Sequence, residues 1–86
     1  MPEVSRFYGI VITMYFDEHN PPHFHAKYGG DSAEIGIDPM IVLVGHLPRR
    51  ALELVMDWAE LHRAELMANW ERLRQSGQFE KIDPLM

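Results

Sequence analysis

The hydrophobic period of this chain changes once, at Pro48, and that change limits the folds open to it. Before Pro48 apolar residues recur at every second position, the repeat of a strand with one buried face. After it they recur at the spacing of an amphipathic helix. A chain of 86 residues with one such switch reads as a single domain over 1–86, with room for one modest core. The predicted class is α+β. It has a four-stranded, mainly antiparallel sheet over about 6–46 and one long or bent C-terminal helix over about 48–76, packed on one face, with a short tail over 77–86.

The alternation gives the strands. "FYGIVITMYF" puts Tyr8, Ile10, Ile12, Met14 and Phe16 on one face, and Phe7, Gly9, Val11, Thr13 and Tyr15 on a mixed one. "DEHNPP" is a loop, because Pro21 and Pro22 lack the N–H that a central ladder needs. "HFHAKY" resumes the pattern, with Phe24, Ala26 and Tyr28 on one side and His23, His25 and Lys27 on the other. Gly29-Gly30 predicts a tight hairpin. That turn pairs Ala26 with Ala33, Phe24 with Ile35, Lys27 with Ser32 and His25 with Glu34, so apolar residues meet apolar residues. Asp38-Pro39 is a further turn, and "MIVLVGHL" is a fourth, nearly continuous apolar strand.

Pro48 suits a first helical turn, and Gly77 suits the stop. Leu52, Val55, Ala59, His62, Leu66 and Leu73 form the apolar stripe, widened by Leu54, Trp58 and Leu61. The tail carries Phe79, Ile82 and Leu85 and is expected to pack back. A continuous helix over 48–76 would run roughly 43 Å, against a domain about 30 Å across. The helix therefore either bends near His62 or carries Leu66, Met67, Trp70 and Leu73 onto a second chain. With no Pro or Gly between Ala51 and Ser76, the second chain is the expectation, either another copy of itself or a co-encoded small protein.

The absence of cysteine excludes disulfides and thiolate zinc sites. The longest apolar run, Met40 to Gly45, is too short to span a membrane, so no membrane partner is expected. The first residues lack the basic and apolar segments of a signal peptide, which makes the cytoplasm the expected location. A net charge of −5 counts against general nucleic-acid affinity and leaves room only for a local RNA-binding patch.

His19, His23 and His25 fall within seven residues and admit three readings. In the plainest, they are polar residues of an open sheet face and its loop. In the second, the chain is a metal-independent endoribonuclease. His23 and His25 then project together from one strand, and Glu34 opposite His25 fixes that imidazole's tautomer. The two histidines share the proton transfers of 2′-OH attack, while Lys27, Arg49 and Arg50 hold phosphate. In the third, His23 and His25 bind a metal with an acid across the hairpin and His19.

Several segments together carry a family resemblance: "SRFYGI", "HNPPHFHA", "LPRRAL" and "ELMANW", with a closing "KIDPL". Across nearly the whole chain the sequence resembles the bacterial domain-of-unknown-function family 4160. The resemblance implies small bacterial proteins of unestablished activity, often encoded beside members of family 2442, an arrangement that suggests a toxin–antitoxin pair. The expected function is therefore a small component of such a pair that works through protein contacts. The candidate active surface is the face bearing His23, His25 and Glu34. The alternative is a non-catalytic binding module whose histidine loop is structural. No cofactor is expected. Purified protein should carry no stoichiometric metal, because its histidines are split between a loop and a strand. Elemental analysis finding one zinc, nickel or manganese per chain, lost in His23→Ala, would overturn that expectation.

Overall fold

The computed structural model describes residues 2–16 and 19–86; Asp17 and Glu18, part of the expected loop, lie outside the described residues. The class is α+β. An antiparallel meander runs β1 (Glu3–Phe7), β2 (Ile10–Thr13), β3 (His23–Tyr28), β4 (Asp31–Gly36) and β5 (Val42–His46), in that spatial order. Two helices follow, α1 (Arg49–Leu61) and α2 (Arg63–Ser76). No helix among the described residues is long and apolar enough to cross a membrane.

The sheet has one strand more than the alternation indicates. What reads as one strand is a hairpin that reverses at Tyr8-Gly9, with Phe7 opposite Ile10. Both turn residues have positive φ, 50° at Tyr8 and 79° at Gly9, the backbone of a two-residue turn matched to strand twist. Tyrosine is an uncommon residue for that conformation, and this hid the turn. The reversal also moves residues between faces. Phe7 is buried against Trp58, with ring centroids 5.3 Å apart, whereas Tyr8 and Phe16 are exposed. Ile10, Ile12 and Met14 are buried as the alternation requires.

The β3–β4 register is the predicted one, with Phe24 opposite Ile35, Ala26 opposite Ala33 and His25 opposite Glu34. β5 differs from a buried apolar strand: it is the sheet edge, and all five of its residues are exposed. Gly45 brings it close to β4, at φ +87°, where an added Cβ would lie 2.3 Å from the Ser32 carbonyl oxygen.

The long helix is broken at a single residue, His62. Its N–H still finds the carbonyls of Trp58 (3.1 Å) and Ala59 (3.2 Å), and Leu66 N–H bonds the His62 carbonyl at 2.9 Å. The His62 ring Nδ1 engages the Glu65 carboxylate. Arg63, the first residue of α2, donates to the Ile37 carbonyl at 3.2 Å and pairs with Asp38 at 3.4 Å, anchoring the new direction on the turn after β4. The bend keeps the longest dimension at 34 Å. It also buries Leu66, Trp70 and Leu73 within the chain, so their coverage needs no second chain.

The tail packs back as expected. Asn69, buried on α2, clamps it through two bonds: its Nδ2 donates to the Glu80 carbonyl (2.8 Å), and Glu80 N–H donates to its Oδ1 (2.9 Å). Ile82 N–H then donates to the Val4 carbonyl at 2.8 Å, and Trp58 Nε1–H to the Asp83 carbonyl at 2.8 Å. Asn69→Ala leaves the tail backbone without these partners and should lower stability by about 2 kcal/mol. Gly45→Ala should lower it by at least about 1 kcal/mol, through backbone strain and the clash with Ser32. Both changes are read from the midpoint of urea unfolding.

Candidate functional site: the open face of the sheet

The helices cover one sheet face, where Trp58 packs on Phe7 of β1 and Phe24 of β3. The opposite face is built from two rows of cross-strand partners. One row runs Glu3, Thr13, His25, Glu34 and Val44; the other runs Arg6, Val11, Lys27, Ser32 and His46. Neighbouring strands lie about 4.8 Å apart, so Arg6 and Lys27, with β2 between them, stand about 10 Å apart at the backbone.

These rows line a shallow cavity of about 570 Å3. Its polar groups are Arg6, Thr13, Tyr15, His25, Lys27, Ser32 and Glu3. Tyr15 stands edge-on to His25, with centroids 4.8 Å apart, and Thr13 Oγ1 donates to the Tyr15 hydroxyl at 3.3 Å. Arg6 forks onto Glu3 through Nη2 (2.8 Å) and Nε (3.2 Å). The hydrogen bond from Arg6 holds the Glu3 carboxyl below the usual carboxylate range and raises the Arg6 guanidinium in turn. The cavity therefore offers Lys27, an Arg6–Glu3 ion pair, hydroxyls and two flat rings on one surface, a set suited to a ligand that stacks its rings and brings an anionic group to Lys27.

The residues singled out from sequence do not form one cluster. His25 and Lys27 line the cavity. His23 is buried: its Nδ1–H donates to the Pro21 carbonyl at 2.8 Å, and its ring lies 5.2 Å from Trp70 and 5.3 Å from His25. Trp70 of α2 thus covers the end of the face that alternation alone leaves open. Glu34 is the cross-strand neighbour of His25, yet its carboxylate lies 3.7 Å from Nε2 of His23. Arg49 and Arg50 start α1, are exposed, and pair with Glu53 at 3.5 and 3.4 Å; neither lines the cavity. His19 lines a separate hollow of about 270 Å3 with His23, Glu34, Leu43 and Val44. Among the described residues, no group of three His, Asp or Glu side chains is placed to hold a metal ion.

Sequence reasoning missed Tyr15 and Arg6. Tyr15 follows Thr13 on the mixed face of the alternation, a signal that was present. Arg6 is brought to the site only by the unrecognised β1–β2 hairpin.

The family described as Domain of unknown function (DUF4160) matches the chain over residues 9–71. The chain belongs to that family. The matched span includes Tyr15, His25, Lys27 and Glu34 but excludes Glu3 and Arg6, so the β1 side of the cavity lies outside it. No curated relative and no solved structure matches the chain.

The burial difference between the two histidines has a direct readout. His23→Ala removes an enclosed ring and its bond to Pro21, and should cost about 1–3 kcal/mol of stability. His25→Ala, on the open face, should cost under about 1 kcal/mol. Urea unfolding of both variants gives the comparison, and equal losses would contradict the division.

Proposed function

We propose that the chain is a non-catalytic binding module that holds single-stranded RNA on the open face of its sheet, as one component of a toxin–antitoxin-like pair. The observation that supports this most is the division of the histidines. Transfer of two protons between a ribose hydroxyl and a leaving oxygen uses two accessible groups. His23 is enclosed by Trp70, which leaves His25 as the histidine lining the cavity. What remains on the face suits binding. Lys27 supplies charge to phosphates, with Arg6 doing so on exchanging its Glu3 partner, and Tyr15 and His25 supply rings for bases. The open face also carries Glu3 and Glu34, and residues 1–47 hold six acids against two bases, so the binding rests on ring stacking at least as much as on charge.

A second reading keeps the endoribonuclease, with His25 as the general base and the Tyr15 hydroxyl as its companion. The edge-on contact between these two rings favours it. Fluorescence anisotropy with a labelled single-stranded RNA separates the two readings. Binding should weaken with salt, and Lys27→Ala should reduce the magnitude of the salt slope by about 0.7, the contribution of one phosphate contact on a single strand. Arg49→Ala should leave the slope unchanged. The RNA should stay intact; cleavage in chelator that is abolished by His25→Ala would establish the second reading, and absence of any binding would sink both.

A further inference from the structure

The two edges of the sheet are finished differently. The β1 edge is covered by the tail, through the bond from Ile82 N–H to the Val4 carbonyl. That tail is held there by Asn69 and Trp58, so it is not what covers β5. β5 is the last strand in the sheet order among the described residues. Its apolar side chains and their neighbour stand in solvent: Ile41 is 50% exposed, Val42 38%, Leu43 36% and Val44 59%.

Strand edges present unpaired N–H and C=O groups, and natural proteins blunt them with charge, proline, bulges or short length. This edge uses only the last two. A bulge leaves Leu43 without a Cα partner on β4, and Gly45 turns the chain at φ +87°. From Met40 to Gly45 there is no charged residue and no proline.

Charge and symmetry indicate what covers it. The chain carries −5, and many contacts between two copies would bring like charges together. The β5 run is a surface on which two copies can meet with no charge on either side, whereas a strongly charged partner finds nothing there to pair with. Antiparallel pairing about a two-fold axis sets the strand against itself. The bulge sets Val42 on the helical side, opposite Ile35, and Val44 on the open side, opposite Glu34, so with the axis at Leu43 the two Val42 side chains line one side of the joint and the two Val44 side chains the other.

We infer that β5 pairs antiparallel with β5 of a second copy of this chain, joining two five-stranded sheets into one. The two-fold axis is then perpendicular to the sheet, so the open faces of both copies lie on the same side and both helical layers on the other. The two β3 strands, each bearing His25 and Lys27, stand five strand spacings apart, about 24 Å. The inference does not depend on what the open face binds.

The test is the mass of the intact chain across a dilution series from about 5 to about 500 μM, by light scattering and sedimentation. The expected result is a shift from 10.0 kDa toward twice that mass as concentration rises. Val44→Lys puts a charge on the edge and should raise the dissociation constant at least about tenfold. Leu61→Lys, at an apolar side chain 72% exposed at the end of α1, should leave the constant unchanged. Circular dichroism is the control that both variants fold. The chain has no cysteine, so Leu43→Cys should give a disulfide-linked dimer on mild oxidation, and Leu61→Cys should not. A mass of 10.0 kDa throughout the series overturns the inference. So does a dimer that is insensitive to Val44→Lys and not cross-linked through Leu43→Cys. A different protein seated on β5 of a chain that is monomeric alone overturns it as well.

Discussion

Trp58 is where the parts of this molecule meet. Its ring packs 5.3 Å from Phe7 on β1 and 6.0 Å from Phe24 on β3, and 5.5 Å from His62 at the helix break. Its Nε1–H reaches the tail at Asp83. An indole fully removed from water contributes a large apolar area, and here the one polar atom that would oppose burial has a carbonyl partner. Because the ring touches two strands and the tail at once, it sets where α1 lies on the sheet and where the C-terminus returns.

The break at His62 follows from that placement. A straight continuation of α1 would carry Leu66, Trp70 and Leu73 beyond the sheet. Burying a side chain of the leucine kind stabilises by about 1.5–3 kcal/mol, while a lost helical hydrogen bond costs about 1 kcal/mol. Even that cost is small here, since His62 N–H and its carbonyl both keep partners. Packing outweighs helix continuity, and neither Pro nor Gly is needed to bend the chain. The turn also directs α2 so that Trp70 meets His23 and Asn69 meets the tail. The helical layer thereby decides which histidine is enclosed and which faces the cavity.

The two edges extend the same logic. The returning tail reaches β1 because Trp58 and Asn69 hold it, and it covers that edge with a backbone hydrogen bond. β5 is the last strand in the sheet order among the described residues, so the chain's own packing closes one edge and not the other.

The sequence by itself determined the α+β class, the β3–β4 register with His25 opposite Glu34, the start of the helix at Pro48 and its stop at Gly77. These are local or near-neighbour properties: a repeat of two, a Gly-Gly turn, a helix start and a left-handed stop, each fixed by residues a few positions apart. The hairpin at Tyr8-Gly9 was not legible, because an aromatic residue in positive φ gives no compositional warning. The exposure of β5 was not legible either, because an apolar run looks the same in the middle of a sheet and at its rim. Tertiary structure alone decided that His23 is buried, that Arg6 joins Lys27 and His25 around one cavity, and that Arg49 and Arg50 stand apart from it. Those outcomes depend on contacts between residues tens of positions apart, such as His23 with Trp70. A one-dimensional period records which face a residue takes, but not what comes to cover that face.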